Sequence, residues 1–91
     1  MRFERKPAFN KRYDDLSSAR QAKVIHAIEQ LAQAFQTGQR PQGLGLRKLR
    51  HEFWEIRLGL EDRILFRLKG DLIELVMLGS HEEIRRVLAA R

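Results

Sequence analysis

The sequence predicts an α+β fold in which an N-terminal helical hairpin packs on a twisted antiparallel sheet, in the order β-α-α-β-β-β-β-α. Three observations predict it. Apolar residues recur at helical spacing as far as Phe35, and a loop-like stretch over 39–45 follows, with Pro41, Gly43 and Gly45. Beyond that loop the apolar period switches from 3.6 to 2, broken at Gly59 and Gly70.

Residues 2–6 alternate around Phe3 and Arg5 and read as a short strand. Pro7 suits the first turn of a helix, where its missing N–H is no loss. Phe9, Tyr13 and Leu16 extend that helix over about 7–16. Ser18 and Gln21 carry the spacing of a capping box. Val24, Ile25, Ile28, Leu31, Ala32 and Phe35 then form one apolar stripe, and Gly38 closes the second helix.

Residues 46–50 form a short strand candidate. In 53–58, Trp54, Ile56 and Leu58 fall on one face, with Glu55 and Arg57 on the other. After the turn over 59–62, Ile64, Phe66 and Leu68 oppose Arg63, Leu65 and Arg67. Gly70-Asp71 marks a second tight turn, and 72–78 is apolar enough for a strand buried on both faces. Residues 81–90 form a terminal helix with Ser80 as its cap.

The 91 residues have room for one domain, 1–91, and 43% are hydrophobic, as in a globular chain. No cysteine is present, which removes disulfides and thiolate metal sites, so folding rests on apolar burial and a stabilising partner is expected. No apolar run reaches the roughly 20 residues of a membrane span, and the N-terminus lacks a signal-like apolar stretch. The expected location is cytoplasmic, with no membrane association. There is no phosphate-loop motif, glycine fingerprint or metal-ligand spacing, so neither cofactor nor metal is expected.

The formal net charge of +6 favours a polyanionic partner, whether nucleic acid, acidic protein or anionic lipid. Strand alternation turns that excess into geometry. If the apolar faces of 53–58 and 63–68 meet the hairpin, Arg57, Arg63 and Arg67 share the opposite face, and Lys48 and Arg50 can join them. Cations facing one another across a sheet repel, and a surface that tolerates this commonly meets phosphate. The competing reading is that Glu55 and Glu74 neutralise part of the cluster as cross-strand ion pairs. Among the histidines, His26 reads as structural and His51 as a turn residue of either kind. His81, at the start of the terminal helix, is either a proton-exchanging imidazole or an exposed helix-start residue.

Over about 44–88 the sequence resembles the RelE/ParE toxin superfamily, the toxin half of type II toxin–antitoxin pairs. The resemblance is carried by Leu46-Arg-Lys-Leu49, Phe53-Trp-Glu-Ile-Arg-Leu58, Asp62-Arg-Ile-Leu-Phe66 and Leu78-Gly-Ser-His-Glu-Glu-Ile84. It implies a RelE/ParE-like fold and a cognate antitoxin that wraps the toxin and masks its basic face, giving a hetero-oligomer. Charge and family together suggest an antitoxin helix laid across the hairpin or the basic sheet. For RelE-like members the resemblance implies metal-free mRNA cleavage in the ribosomal 30S A site, through attack of a ribose 2′-OH on the adjacent phosphorus.

Carried onto this sequence, Arg63 matches the strand arginine that contacts the scissile phosphate. Arg57 resembles the basic position of the preceding strand, and Lys48, with Arg47, the basic or acid–base position before it. His81 falls near the C-terminal catalytic position. Arg47, Arg50, Arg67 and Arg85 are the further residues expected to bind RNA. The sequence departs from the pattern in the terminal helix, where many RNA-cleaving members place a tyrosine. Arg85 stands near that place, and the one tyrosine is Tyr13. That departure brings in two alternatives, a ParE-like poison of DNA gyrase and a non-catalytic antitoxin-binding module.

Overall fold

A computed structural model describes residues 2–39 and 43–90. The first strand, β1 (Arg2–Arg5), leads into α1 (Pro7–Asp14), with Pro7 in the first helical turn and Phe9 buried. Helix α2 (Ser18–Thr37) follows. Its N-cap is Ser17, one residue earlier than the expected Ser18, and Ser17 Oγ accepts from the Arg20 N–H at 3.3 Å. Gln21 is thereby released from a capping box, and its side-chain amide donates to the Tyr13 carbonyl at 2.8 Å, tying α2 to α1. Gly38 ends the helix in the left-handed conformation (φ 74°), which glycine adopts without strain.

The buried face of α2 is Val24, Ala27, Leu31 and Ala34, flanked by Ile28 and Phe35. Two alanines on this line let the helix approach the sheet closely, so the contact stripe is turned away from Ile25. That residue, expected in the core, is 36% exposed. His26, read from the sequence as structural, is exposed as well. The loop expected over 39–45 falls in part on 40–42, which lie outside the described residues.

Four antiparallel strands follow: β2 (Gly45–Lys48), β3 (Phe53–Leu58), β4 (Asp62–Lys69) and β5 (Leu72–Gly79). The sheet order is β1-β5-β4-β3-β2, and β1 pairs with β5 in parallel, from Arg2 against Leu72 to Arg5 against Leu75. The sheet is therefore the expected meander plus one parallel edge strand. The hairpin and the meander together form the long connection that a parallel pairing requires. Opposite Leu65 and Phe66 the register of β5 shifts from Met77 to Leu75, leaving Val76 as a bulge.

Both faces of the sheet are covered. Ile56, Ile64, Phe66, Ile73, Leu75 and Leu78 meet Phe9, Val24 and Leu31 of the hairpin. The last helix, α3 (His81–Ala89), lies on the other face, where Ile84 and Leu88 pack against Phe53 and Leu65. Strand β5 is covered on both sides, as its apolar sequence predicts. Ser80 caps α3 reciprocally: its Oγ accepts from the Glu83 N–H at 3.1 Å, and its own N–H donates to Glu83 Oε1 at 2.8 Å. No helix among the described residues is long and apolar enough to cross a membrane.

Candidate nucleic-acid interface

The candidate side chains lie largely on the sheet face that α3 only partly covers. The pairing register sets Arg57 directly opposite Arg63, and Gly45 opposite Arg57. Alternation along β3 then brings Glu55 to the same face, beside Arg47 of β2. Arg47, Glu55, Arg57 and Arg63 line a cavity of about 280 Å³.

Glu55 organises this cavity. Its carboxylate is buried, 3% exposed, and accepts from Arg63 Nη1 at 2.6 Å, with Arg47 Nη2 at 3.3 Å. A buried carboxylate needs such partners, because desolvation without them is costly. The Arg63 side chain is 18% exposed and held, whereas that of Arg47 is 61% exposed. Arg57 has no carboxylate partner among the described residues and is exposed. Three guanidinium groups answered by one carboxylate leave the cavity positive.

Space as well as charge is arranged here. A Cβ added to Gly45 would stand 3.1 Å from Arg57 Cβ, closer than ordinary contact. The glycine thus leaves room on the edge strand beside Arg57.

Two expected members of the cluster lie elsewhere in effect. Lys48 pairs with Trp54, which faces the hairpin, and its Nζ sits 5.4 Å from the Trp54 ring centre. It is on the opposite side of the sheet from Arg57, because β2 begins at Gly45 and its parity is set by β3. Arg47 takes the position that the sequence reading offered to Lys48. Arg67 is on the expected face but is paired: it reaches Glu74 Oε1 at 2.6 Å, Glu52 at 3.5 Å, and lies over the Phe53 ring at 5.9 Å. The hydrogen bond from Arg67, and then that from Lys6, holds the Glu74 carboxyl below its ordinary value of 4.5. The ion-pair reading of Glu55 and Glu74 thus describes Arg63 and Arg67, and leaves Arg57 free.

Arg50 and Arg85 come together at a second place. Arg50 sits in the turn between β2 and β3, its carbonyl accepting from the Phe53 N–H at 3.3 Å. The next residue, His51, is exposed and in the left-handed region (φ 59°), where a non-glycine residue is uncommon. Arg50, Glu82, Arg85, Arg86, Leu88 and Ala89 line a cavity of about 370 Å³ between this turn and α3. Arg86 is its unforeseen member; the Glu82/Arg86 spacing at i, i+4 was the available signal, and the two side chains are 4.0 Å apart.

His81 opens α3, exposed, two residues beyond Gly79, the register partner of Arg63. It lines neither cavity. Among the described residues no group of three or more His, Asp or Glu side chains is placed to hold a metal ion. Two ion pairs that sequence reasoning missed frame the site. Arg20 of α2 forks onto Asp62 at 2.8 and 2.6 Å, fixing the start of β4. Arg12 of α1 meets Glu83 of α3 through two hydrogen bonds of 3.2 and 3.1 Å. Each joins residues far apart in sequence, so no local spacing announces it.

The fold has counterparts among known proteins. A chain of the RelB–RelE antitoxin–toxin complex from Methanococcus jannaschii superposes with a TM-score of 0.69 at 17% identity, covering 92% of this chain and 96% of that one. A YoeB/ParE toxin from Agrobacterium tumefaciens gives 0.68 at 22% identity, covering 89% and 99%. The YoeB dimer from Staphylococcus aureus gives 0.66 at 16%, covering 89% and 97%. At these identities the likeness is one of fold. No curated protein sequence matches the chain significantly. The profile of the ParE-like toxin domain, however, matches residues 21–86, from early α2 into α3. The chain therefore belongs to the ParE-like toxin domain family, within the RelE/ParE toxin superfamily.

Proposed function

We propose that this toxin cuts RNA at the Arg47–Arg57–Arg63 cavity, acting as a ribosome-dependent, metal-free mRNA endoribonuclease held in check by a cognate antitoxin. One observation carries the reading: a free guanidinium, Arg57, faces a braced one, Arg63, across adjacent strands in a cavity with excess positive charge. A planar fork suits a phosphate, and a fixed fork suits the extra charge of a phosphorane.

In the reaction, the ribose 2′-oxygen attacks the adjacent phosphorus and gives up its proton as the new O–P bond forms. The bond from phosphorus to the 5′-oxygen then breaks, and that oxygen takes up a proton. The products are a 2′,3′-cyclic phosphate and a 5′-hydroxyl. On this proposal Arg57 and Arg63 answer the developing phosphoryl charge, and proton exchange falls to His81, which lies outside the cavity but only two residues beyond Gly79, the register partner of Arg63. Antitoxin binding draws support from solved relatives seen as antitoxin–toxin complexes, RelB–RelE among them. Acidic antitoxin residues would complement the same cations.

The test is mRNA integrity in a translation extract given purified toxin. Wild type is expected to cut within codons, and Arg57→Ala and Arg63→Ala each to lower cutting by at least about 100-fold, the scale of losing one charge-stabilising donor. A halt in synthesis with intact transcripts would sink the reading.

A second reading has an observation of its own. His81 lines neither arginine cavity, and α3 carries exposed Arg85 where cleaving relatives commonly place an aromatic. A gyrase poison needs no proton-transfer group, and this reading expects purified gyrase to lose supercoiling activity while mRNA stays whole. Neither effect, together with tight antitoxin binding, would identify a non-catalytic module.

A further inference from the structure

Pairing sorts the arginines of this protein. Among the described residues, Arg2, Arg12, Arg20, Arg47, Arg63, Arg67 and Arg86 each have a carboxylate within 4.0 Å. Arg5, Arg50, Arg57 and Arg85 have none, and Arg5 instead lies over the Tyr13 ring at 5.6 Å. The three that remain are associated with one side of the molecule: Arg57 in the sheet cavity, and Arg50 with Arg85 in the cavity between the β2–β3 turn and α3. Two separate elements thus each deliver an unpaired guanidinium to a single opening of about 370 Å³, which Leu88, Ala89 and the Glu82–Arg86 pair also line, so three guanidinium groups there stand against one carboxylate. An apolar wall strengthens the attraction such charges exert on an anion.

The two cavities are spaced along β3. Arg50 abuts Phe53 at its start, and Arg57 stands four residues further on, about 13 Å away at the usual strand rise. We infer that the Arg50–Arg85 cavity is a second phosphate subsite, and that a single strand of RNA lies across this face with one phosphate at Arg57 and two further phosphates, both to one side of it along the strand, at Arg50 and Arg85. The inference rests on the RNA reading proposed above. It goes further in giving α3 and the β2–β3 turn a share of the substrate. Contacts of this kind read the backbone, so they set affinity and register without choosing the base.

Counterion release tests it. Binding of a short single-stranded RNA to the purified full-length protein is measured by fluorescence anisotropy over a range of salt. Each phosphate contact contributes about 0.7 to the slope of log K against log salt for a single strand. R50Q/R85Q is expected to flatten the slope by about 1.4, R57Q by about 0.7, and the charge-retaining R50K/R85K to keep it. All three variants alter exposed side chains, and thermal unfolding checks that each remains folded. A slope reduced by R57Q yet unchanged by R50Q/R85Q overturns the second subsite and leaves the RNA reading standing. Failure of the wild type to bind RNA at all overturns the second subsite, while the cleavage reading is decided separately by mRNA integrity in the translation extract. If R50Q/R85Q instead costs affinity for polyglutamate and none for RNA, the cavity belongs to an acidic protein partner and the inference falls.

Discussion

Glu55 shows how one residue decides the behaviour of its neighbours. A carboxylate 3% exposed is tolerable because Arg63 and Arg47 both reach it, and their positions are in turn fixed by it. Glu55→Gln keeps the shape and removes the charge, so two opposed consequences are expected together. Stability falls by about 2 kcal/mol, below the ~3–5 kcal/mol of fully buried pairs because Arg47 is largely hydrated. Affinity for RNA rises, since the cavity loses its one negative charge. Urea unfolding and anisotropy on the same preparation measure the two, and a variant that is destabilised and also binds RNA more weakly would contradict this account. At this scale the sequence was half legible. Alternation put Arg57, Arg63 and Arg67 on one face and raised the pairing of Glu55 and Glu74. It could not show that Arg57 escapes pairing, which depends on side-chain reach across three strands.

At the scale of elements, those with strong periodicity were legible and those set by their neighbours were not. Strand β3 runs over the residues where alternation begins and ends, and Ser80 caps α3 as its position suggests. Strand β2, only four residues long, has too few side chains to declare its own parity, so Lys48 was assigned to the face that Arg47 occupies. The stripe of α2 was turned for a related reason: hydropathy weighs Ile25 above Ala27, whereas close packing on a sheet prefers the smaller residue. Strand β1 pairs in parallel with a strand nearly seventy residues away, which no local pattern encodes.

The elements are also joined by carboxylates, and this gives a pH dependence. Glu74, held by Arg67 and Lys6, and Glu83, held by the Ser80 N–H and then by Arg12, both titrate below their ordinary 4.5 when folded. A carboxyl depressed in the folded state binds its proton more readily when unfolded, so its stabilisation is present above that value and is lost as pH falls through the folded one. The unfolding temperature is expected to hold from pH 7 to about 5 and to decline below about 4.5, with Glu74→Gln shallower on the acid side. An acid limb identical in Glu74→Gln and wild type would remove Glu74 from this role.

Across the whole molecule, the sheet is a shared wall between two apolar layers, with no disulfide among its 91 residues to reinforce it. Phe66 sits near the middle, fully buried and stacked on Trp54 with ring centres 6.3 Å apart. Phe66→Ala is expected to cost about 3–5 kcal/mol, a large part of the ~5–15 kcal/mol available to a small domain. Thermal denaturation should show the variant largely unfolded near 37 °C unless a partner is bound. Persistence of a cooperative transition close to that of wild type would mean that the layers support each other less than their packing implies. The α+β layering and the order of elements were legible because the periodicities differ so sharply between the halves. The start of the terminal helix beside the basic face was legible too, whereas the packing of Ile84 and Leu88 on Phe53 and Leu65 was not, since a nine-residue helix carries its apolar stripe without naming the surface it will meet.

Gly45 carries a consequence of another kind. Its hydrogen stands where any other residue would project a carbon toward Arg57. The width of the opening beside Arg57 is therefore set by an atom that is missing, on a four-residue edge strand. A larger residue there would leave every charge in place yet press on Arg57, and on the anion-binding reading proposed above it would narrow the approach to that guanidinium.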